Sequence, residues 1–331
     1  MRSTRRWSAV AAGLVFAGLT GACGGSAPAA PVAPSAGLFP ATPVQSGPPA
    51  QPTPAATPSD RPVRVVVAAD LACSTPEPTP EDCQQLATAE VAESLHPDAV
   101  LLAGDLQYDH AGADEFARSY DPSWGRFKAI THPAPGNHEY DTEGAAPYFD
   151  YFGDAAGPRD KGWYSFDLGA WHVIALNSNC REIGGCGEDS AQLAWLREDL
   201  ARHPARCVLA YWHHPRWSHS KHGDNDEVAS FVQTLYDAGA EVVFNGHDHN
   251  YQRFQPRTPD GEPDEARGLR EFVVGMGGRD RYRIDSEDGE DAATDPSFGV
   301  LEVTLRSDRY DWRYVPAAGG TDADQGSAAC H

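Results

Sequence analysis

The sequence predicts an α/β fold, on three observations. β-Branched apolar runs end in carboxylates or histidines, a strand, a helix and a second strand follow one another between residues 64 and 105, and alternating apolar residues after Trp163 read as the start of a second sheet.

The front of the chain is different. Arg2, Arg5 and Arg6 precede an apolar stretch from about Trp7 to Leu19, and the small residues Gly21 and Ala22 follow. That order reads as a secretory signal over residues 1–22, its apolar part well short of the ~20 residues that span a membrane. Leu19-Thr20-Gly21-Ala22-Cys23 resembles a bacterial lipoprotein cleavage box, with the leucine one place further out than usual, and cleavage there would leave Cys23 acylated. Arg5-Arg6 also permits twin-arginine export. Residues 23–61 are mostly Ala, Pro, Ser, Gly and Thr, which cannot bury a core, so they read as an extended, disordered linker. The folded domain is then residues 62–331.

The formal net charge is -22, and loss of the signal removes three arginines. Such a surface argues against nucleic acid, which needs a basic stripe, and any phosphate site must carry its own local positive charge. Membrane contact is expected only through a lipid on Cys23, and the sequence specifies no oligomeric state. Beyond Cys23 there are six cysteines, an even count that points to disulfides in an exported chain. Proximity pairs Cys73 with Cys83 and Cys180 with Cys186, leaving Cys207 for Cys330. The spacings lack the paired Cys-x-x-Cys of zinc sites.

In chain order, Arg64-Val65-Val66-Val67-Ala68-Ala69 is a buried strand ending in Asp70. Thr79-Pro80-Glu81-Asp82 caps a helix running to about Leu95, with Pro80 at its first position and acids in its first turn. Asp98 to Gly104 is a second strand ending in Asp105, and Tyr108 follows three residues later, close enough to face the same ion. Ala134-Pro135-Gly136-Asn137-His138-Glu139 sets an amide, an imidazole and a carboxylate behind a Pro-Gly turn.

Tyr164, Phe166 and Leu168, then His172 to Leu176, form a hairpin, with His172 read as structural. Ser190 begins a helix whose Leu193, Leu196 and Leu200 share one face. Cys207 to Trp212 is a strand ending in His213-His214-Pro215, and the loop beyond holds His219, His222 and Asp224. After a helix from about Asp226 to Ala238, Val242-Val243-Phe244 leads into Asn245-Gly246-His247-Asp248-His249. Neutral imidazole is the commonest nitrogen ligand for a transition metal, and His247 and His249 can enter one pocket while Asp248 points elsewhere. Alone, the pair would read as exposed loop histidines; ligand types recurring at strand ends upstream change that reading. Arg253 reads as a structural ion pair. Further strands are expected near 271–278, 298–305 and 309–315, with an acidic loop at about 284–296. No Gly-x-Ser-x-Gly elbow or His-Glu-x-x-His helix is present.

Asp70, Gly104-Asp105-Leu106-Gln107-Tyr108, Gly136-Asn137-His138-Glu139, His213 and Gly246-His247-Asp248-His249 occur in the order of the calcineurin-like metallophosphoesterases. The chain resembles that family, and within it the purple acid phosphatase branch, over roughly residues 63–315. The resemblance implies a four-layer α/β/β/α sandwich of two mixed sheets flanked by helices. It also implies two metal ions, one held by Asp70, Tyr108 and His249, the other by Asn137, His213 and His247, with Asp105 bridging. Carboxylate and phenolate oxygens suit Fe(III), while amide and imidazole suit Zn, Mn or Fe(II). Ala72 stands where members with a tyrosine ligand usually have glycine, and it cannot coordinate, which favours Tyr108. His213 takes the ligand role from its His-x-Pro spacing, leaving His214 as a supporting or core residue.

The resemblance further implies hydrolysis of small phosphorylated substrates by metal-activated hydroxide, with phosphomonoesters first. His138 would contact the phosphate or protonate the leaving oxygen, Glu139 would orient it, and His222 is a second phosphate contact or general acid, against a reading as a flexible loop histidine. The alternatives are a phosphodiesterase or nucleotide hydrolase on the same site, or an inactive cell-surface binding protein with this fold. With residues 24–60 as linker, the N-terminal β-sandwich domain of plant members is not expected.

Overall fold

Alternation along the first strand sets the architecture. In β1 (Val63–Ala68), Val65 and Val67 enter one apolar cluster while Val66 and Ala68 enter another, so the strand is buried on both faces. The computed structural model describes residues 61–74, 77–79, 81–284, 292–294, 297–317, 319–320 and 323–331. The expected signal, Cys23, the linker as far as residue 60, Pro80 and most of the expected acidic loop lie outside the described residues.

β2 (Ala99–Ala103) and β3 (Thr131–Ala134) extend β1 in parallel. β4 (Tyr164–Leu168) and β5 (Trp171–Ala175) form the antiparallel hairpin, and β6 (Cys207–Tyr211) and β7 (Val242–Asn245) add to β5 in parallel. β8 (Tyr251–Arg253), β9 (Arg270–Val274) and β10 (Ala292–Thr294) complete the second sheet. β11 (Gly299–Leu305), β12 (Arg309–Pro316) and β13 (Gln325–Ala329) return to the first, where β11 pairs antiparallel with β1. The strand orders are β13-β12-β11-β1-β2-β3 and β10-β8-β9-β7-β6-β5-β4, so both sheets are mixed.

The two sheets meet through Val67, Leu101, Val173, Leu209, Phe244 and Leu301. On the outer face of the first sheet lie α1 (Gln85–Ser94), the three-residue α2 (Ala113–Glu115) and α3 (Ala146–Phe152); α1 and α3 contribute Ala89, Ala92, Tyr148 and Phe149 to a second cluster. On the second sheet, α4 (Ala191–Arg202) and α5 (Ala229–Asp237) contribute Leu193, Leu196, Phe231 and Leu235 to a third. The result is the expected order of helix, sheet, sheet and helix. Ser190 caps α4 by accepting the backbone N–H of Leu193 at 3.2 Å.

Two local expectations change. α1 starts at Gln85 rather than Pro80, because the Asp82 carboxylate accepts the Cys83 backbone N–H and pairs with Arg279 at 2.9 Å, while the Cys73–Cys83 disulfide ties this segment to the core. β10 forms inside the stretch expected to be a solvated loop, through backbone pairing with β8. β3, β8 and β13 also went unread: they are short, and one contains Pro133. The three expected cysteine pairs are formed. His172 is buried between Asp199 at 2.8 Å and Asp167 at 3.0 Å, and Arg253 pairs with Asp324, so both are structural. Among the described residues no helix is long and apolar enough to cross a membrane.

Candidate metal centre

Four strands deliver the site in the same way. Asp70, Asp105, His213 and His247 each lie two residues beyond the end of β1, β2, β6 and β7, on the carboxyl edge where open α/β sheets place ligands. Asp70, Asp105 and His247 have φ of 58°, 51° and 72°, a left-handed conformation costing roughly 1–2 kcal/mol for a residue with a side chain. Such strain gathers at functional sites, and it turns each side chain sharply off its strand. Gly246 makes room: a Cβ there would sit 2.6 Å from Oδ2 of Asp70. At Gly136 a Cβ would overlap the backbone nitrogen and Oδ1 of Asp105.

The side chains converge. The Tyr108 hydroxyl lies 2.8 Å from Asp70 Oδ1, 2.9 Å from Asp105 Oδ2 and 3.1 Å from His249 Nε2, and His249 Nε2 is 3.3 Å from Asp70 Oδ1. Across Asp105, His213 Nε2 stands 3.1 Å from Oδ2 and 3.1 Å from Asn137 Oδ1. The His247 ring centre is 5.0 Å from that of His213, and its backbone N–H donates to Asp70 Oδ2 at 2.9 Å. Asp105 thus faces both groups of donors.

Other residues hold these in place. His213 Nδ1 meets the carbonyl of Ala103 at 2.9 Å, and His249 Nδ1 meets that of Asp280 at 2.6 Å, the outer hydrogen bonds that orient ligating imidazoles. Asp280, and Tyr282 stacked 4.0 Å from the His249 ring, were missed in the sequence because neither belongs to a motif. The same is true of Ser178, whose hydroxyl lies 2.8 Å from His214 Nδ1. Asp248 does point elsewhere: it bonds the Ser218 hydroxyl and accepts the His222 N–H at 3.1 Å, bringing the His222 ring to 4.0 Å from that of His247.

Glu139 corrects an expectation. Its buried carboxylate accepts backbone N–H groups of Gly136 (2.6 Å), Leu106 (2.9 Å), Asp105 (3.0 Å) and Gln107 (3.4 Å), clamping the Asp105 and Asn137 loops together. The His138 ring instead has Nδ1 2.5 Å from the Asp109 carbonyl and 3.5 Å from Asp141. A carboxylate next in sequence to a histidine looks like its partner, but the turn sends the two side chains apart.

The electrostatics fit cations. Burial, then Asp105 and Asp70, push the Tyr108 phenol well above its usual range, so its proton stays on and is shared with two fully buried carboxylates. Burial would lower His213 and His249, but Asp105 raises the first to about 9, and Asp70 with Asp280 raises the second to about 10. In the protein alone, imidazolium protons therefore balance buried negative charge; cations would satisfy the same oxygens and displace those protons. His214 and His247 are lowered, chiefly by burial and then by His213, His214 to about 3, which leaves both neutral as nitrogen donors. Donor atoms of Asp70, Asp105 and His213, and of His213, His214 and His247, lie within 4.8 Å of one another.

Two mixed sheets that present carboxylates, imidazoles, an amide and a phenol at adjacent strand ends define a metallophosphoesterase-type protein. The profile of the calcineurin-like phosphoesterases matches residues 63–251, and the chain belongs to that family. It is 27% identical to purple acid phosphatase 15 of Arabidopsis thaliana over 303 residues, which cover 80% of this chain and 54% of that protein. It is also 27% identical over 186 residues to acid phosphatase type 7 of Mus musculus, covering 48% and 41%. The chain thus spans about half the length of the curated relatives it matches. A purple acid phosphatase from yellow lupin shares the fold with a TM-score of 0.65 at 17% identity, covering 82% of this chain and 55% of that one. The inner-membrane-complex anchor GAP50 of Plasmodium has a TM-score of 0.60 at 12% identity, with 82% and 89% covered.

Proposed function

We propose that this chain is an exported, acid-phosphatase-like hydrolase that cleaves small phosphomonoesters at a dinuclear centre, with Fe(III) beside Zn, Mn or Fe(II). The carrying observation is Asp105, whose Oδ2 is 2.9 Å from the Tyr108 hydroxyl and 3.1 Å from His213 Nε2, and so is shared between an oxygen-rich and a nitrogen-rich set. Asp70, Tyr108 and His249 would hold the harder ion, and Asn137, His213 and His247 the softer. Bound there, the pair supplies neutralisation of phosphoryl charge and activation of water.

The chain's own residues do the rest. His138, held by the Asp109 carbonyl and Asp141, can donate to a phosphoryl or leaving-group oxygen. His222, on the loop held by Asp248, stands with its ring 4.0 Å from that of His247 and can supply a second contact from that side. Arg279, 5.1 Å from the Tyr108 ring and ion-paired with Asp82, Asp109 and Asp280, and Lys221, 4.0 Å from the Tyr282 ring, are the cations an entering phosphate can meet on this side.

Three disulfides support export, and lipidation at Cys23 would tether the domain through residues 23–61. Since an inner-membrane-complex anchor shares the fold, the ligand set rather than the fold carries the enzymatic reading. The test is hydrolysis of p-nitrophenyl phosphate beside bis(p-nitrophenyl) phosphate by the metal-reconstituted protein, with and without chelator. Faster turnover of the diester would favour the phosphodiesterase alternative, and no turnover of either would leave a binding protein.

A further inference from the structure

Beside the Asn137 edge of the centre lies a cavity of about 300 Å³, at the small end of ligand pockets. Asn137, His214, Ser178, Asn179 and Tyr140 line it. The wall is tied down: Asn179 Nδ2 donates to the Pro135 carbonyl at 3.2 Å and to Asn177 Oδ1 at 2.9 Å, and the Cys180–Cys186 disulfide closes the loop behind it. Asp141, 3.5 Å from His138 Nδ1, places this cavity next to the expected proton donor.

Its charge is lopsided. The rim carries Asp141, Glu182 and Glu227, while the one guanidinium lining it, Arg181, lies 3.7 Å from Glu227 with its side chain 88% exposed. On the Tyr108 and Tyr282 side stand Lys221 and Arg279, the latter balanced by Asp82, Asp109 and Asp280. A phosphoester entering such a mouth is oriented by it, its phosphoryl group toward the ligand cluster, its leaving group toward the acidic cavity.

We propose that this cavity is the leaving-group subsite and selects small, polar alcohols that are neutral or cationic, rejecting those that carry further negative charge. The inference rests on the phosphomonoesterase reading above and names its substrate class. Asn137, Tyr140, Asn179 and His214 offer hydrogen bonds to a leaving-group hydroxyl, the modest volume suits small leaving groups, and the carboxylates attract an ammonium group and repel a second phosphate or a carboxylate.

The test is a charge ladder of similarly small substrates on the metal-reconstituted protein: choline phosphate, glycerol 3-phosphate and 2-phosphoglycolate. kcat/KM should fall in that order, with the step from neutral to anionic roughly tenfold at low salt and smaller at high salt. The double variant Glu182→Gln/Glu227→Gln should narrow the spread by at least about threefold, although the protein's overall negative field is almost unchanged. Equal rates across the ladder, a preference for 2-phosphoglycolate, or an unaltered spread in the double variant would each overturn the proposal while leaving the phosphatase reading intact. Absence of turnover on all three and on p-nitrophenyl phosphate would instead remove that reading, and this proposal with it.

Discussion

Oδ1 of Asp70 and the hydroxyl of Tyr108 lie 2.8 Å apart, although 38 positions separate them in the chain. The same hydroxyl reaches Asp105 and His249, so Tyr108 has three of the expected ligand residues as neighbours. With iron bound, a phenolate here gives a visible charge-transfer band. Tyr108→Phe should abolish that band, read by absorbance of the iron-loaded protein; a band of unchanged intensity would remove Tyr108 from the ligand set.

Asn137 and His247 enter the site from different sheets, yet neither fills a core. Asn137→Ala and His247→Ala should each reduce turnover of p-nitrophenyl phosphate at least ~100-fold, while far-ultraviolet circular dichroism stays that of the parent. Wild-type rates in either variant would contradict the ligand assignment.

Glu139 is a structural clamp, and the effect of its removal separates that role from catalysis. Glu139→Ala leaves several buried backbone donors without an acceptor, each worth ~1–3 kcal/mol, so urea unfolding should show a loss of roughly 3 kcal/mol or more. Metal content should fall with it, because the clamp holds the Asp105 and Asn137 loops together. A variant of parental stability would show that the four N–H groups find other partners.

The Cys207–Cys330 bridge spans 123 positions, against 6 for Cys180–Cys186. The chain-entropy argument assigns about 5 kcal/mol to the long loop and about 2 kcal/mol to the short one. Cys207→Ser/Cys330→Ser should therefore lower the unfolding midpoint in denaturant more than Cys180→Ser/Cys186→Ser does. The reverse order would point to native-state packing rather than loop closure as the source of stability.

Burial lifts Glu241 and Glu271 to about 8 each, against about 4.5 for an exposed glutamate. A carboxyl whose folded pKa is raised binds its proton more tightly when folded. Its contribution is complete below about pH 4.5 and is lost as pH rises through 8. The thermal midpoint should therefore decline from roughly pH 5 to pH 8.5, measured by differential scanning calorimetry. A midpoint rising across that interval would mean that other groups dominate.

Much of the fold was legible because burial on both faces leaves an unmistakable apolar run rich in β-branched residues, as in Val65 to Val67 and Val242 to Phe244. The edge strands were not. Ala292–Thr294 is a three-residue strand joined to β8 within an acidic stretch, and Thr131–Ala134 carries a proline, so neither shows a strand pattern in the sequence. The start of α1 was misread because Asp82 looked like a first-turn acid, whereas a disulfide and Arg279 hold it outside the helix.

The sequence by itself determined which chemistry could be brought together, since residue type and position at a strand end are local properties: Asp70, Asp105, His213 and His247 all follow apolar runs. Only the tertiary structure decided who meets whom. It sent Glu139 to the backbone and Asp141 to His138, put Asp280 behind His249, and gave the Asn137 side an acidic cavity. Those contacts depend on how two sheets stack and how three non-glycine residues are held at positive φ, and no short window of sequence records such distances.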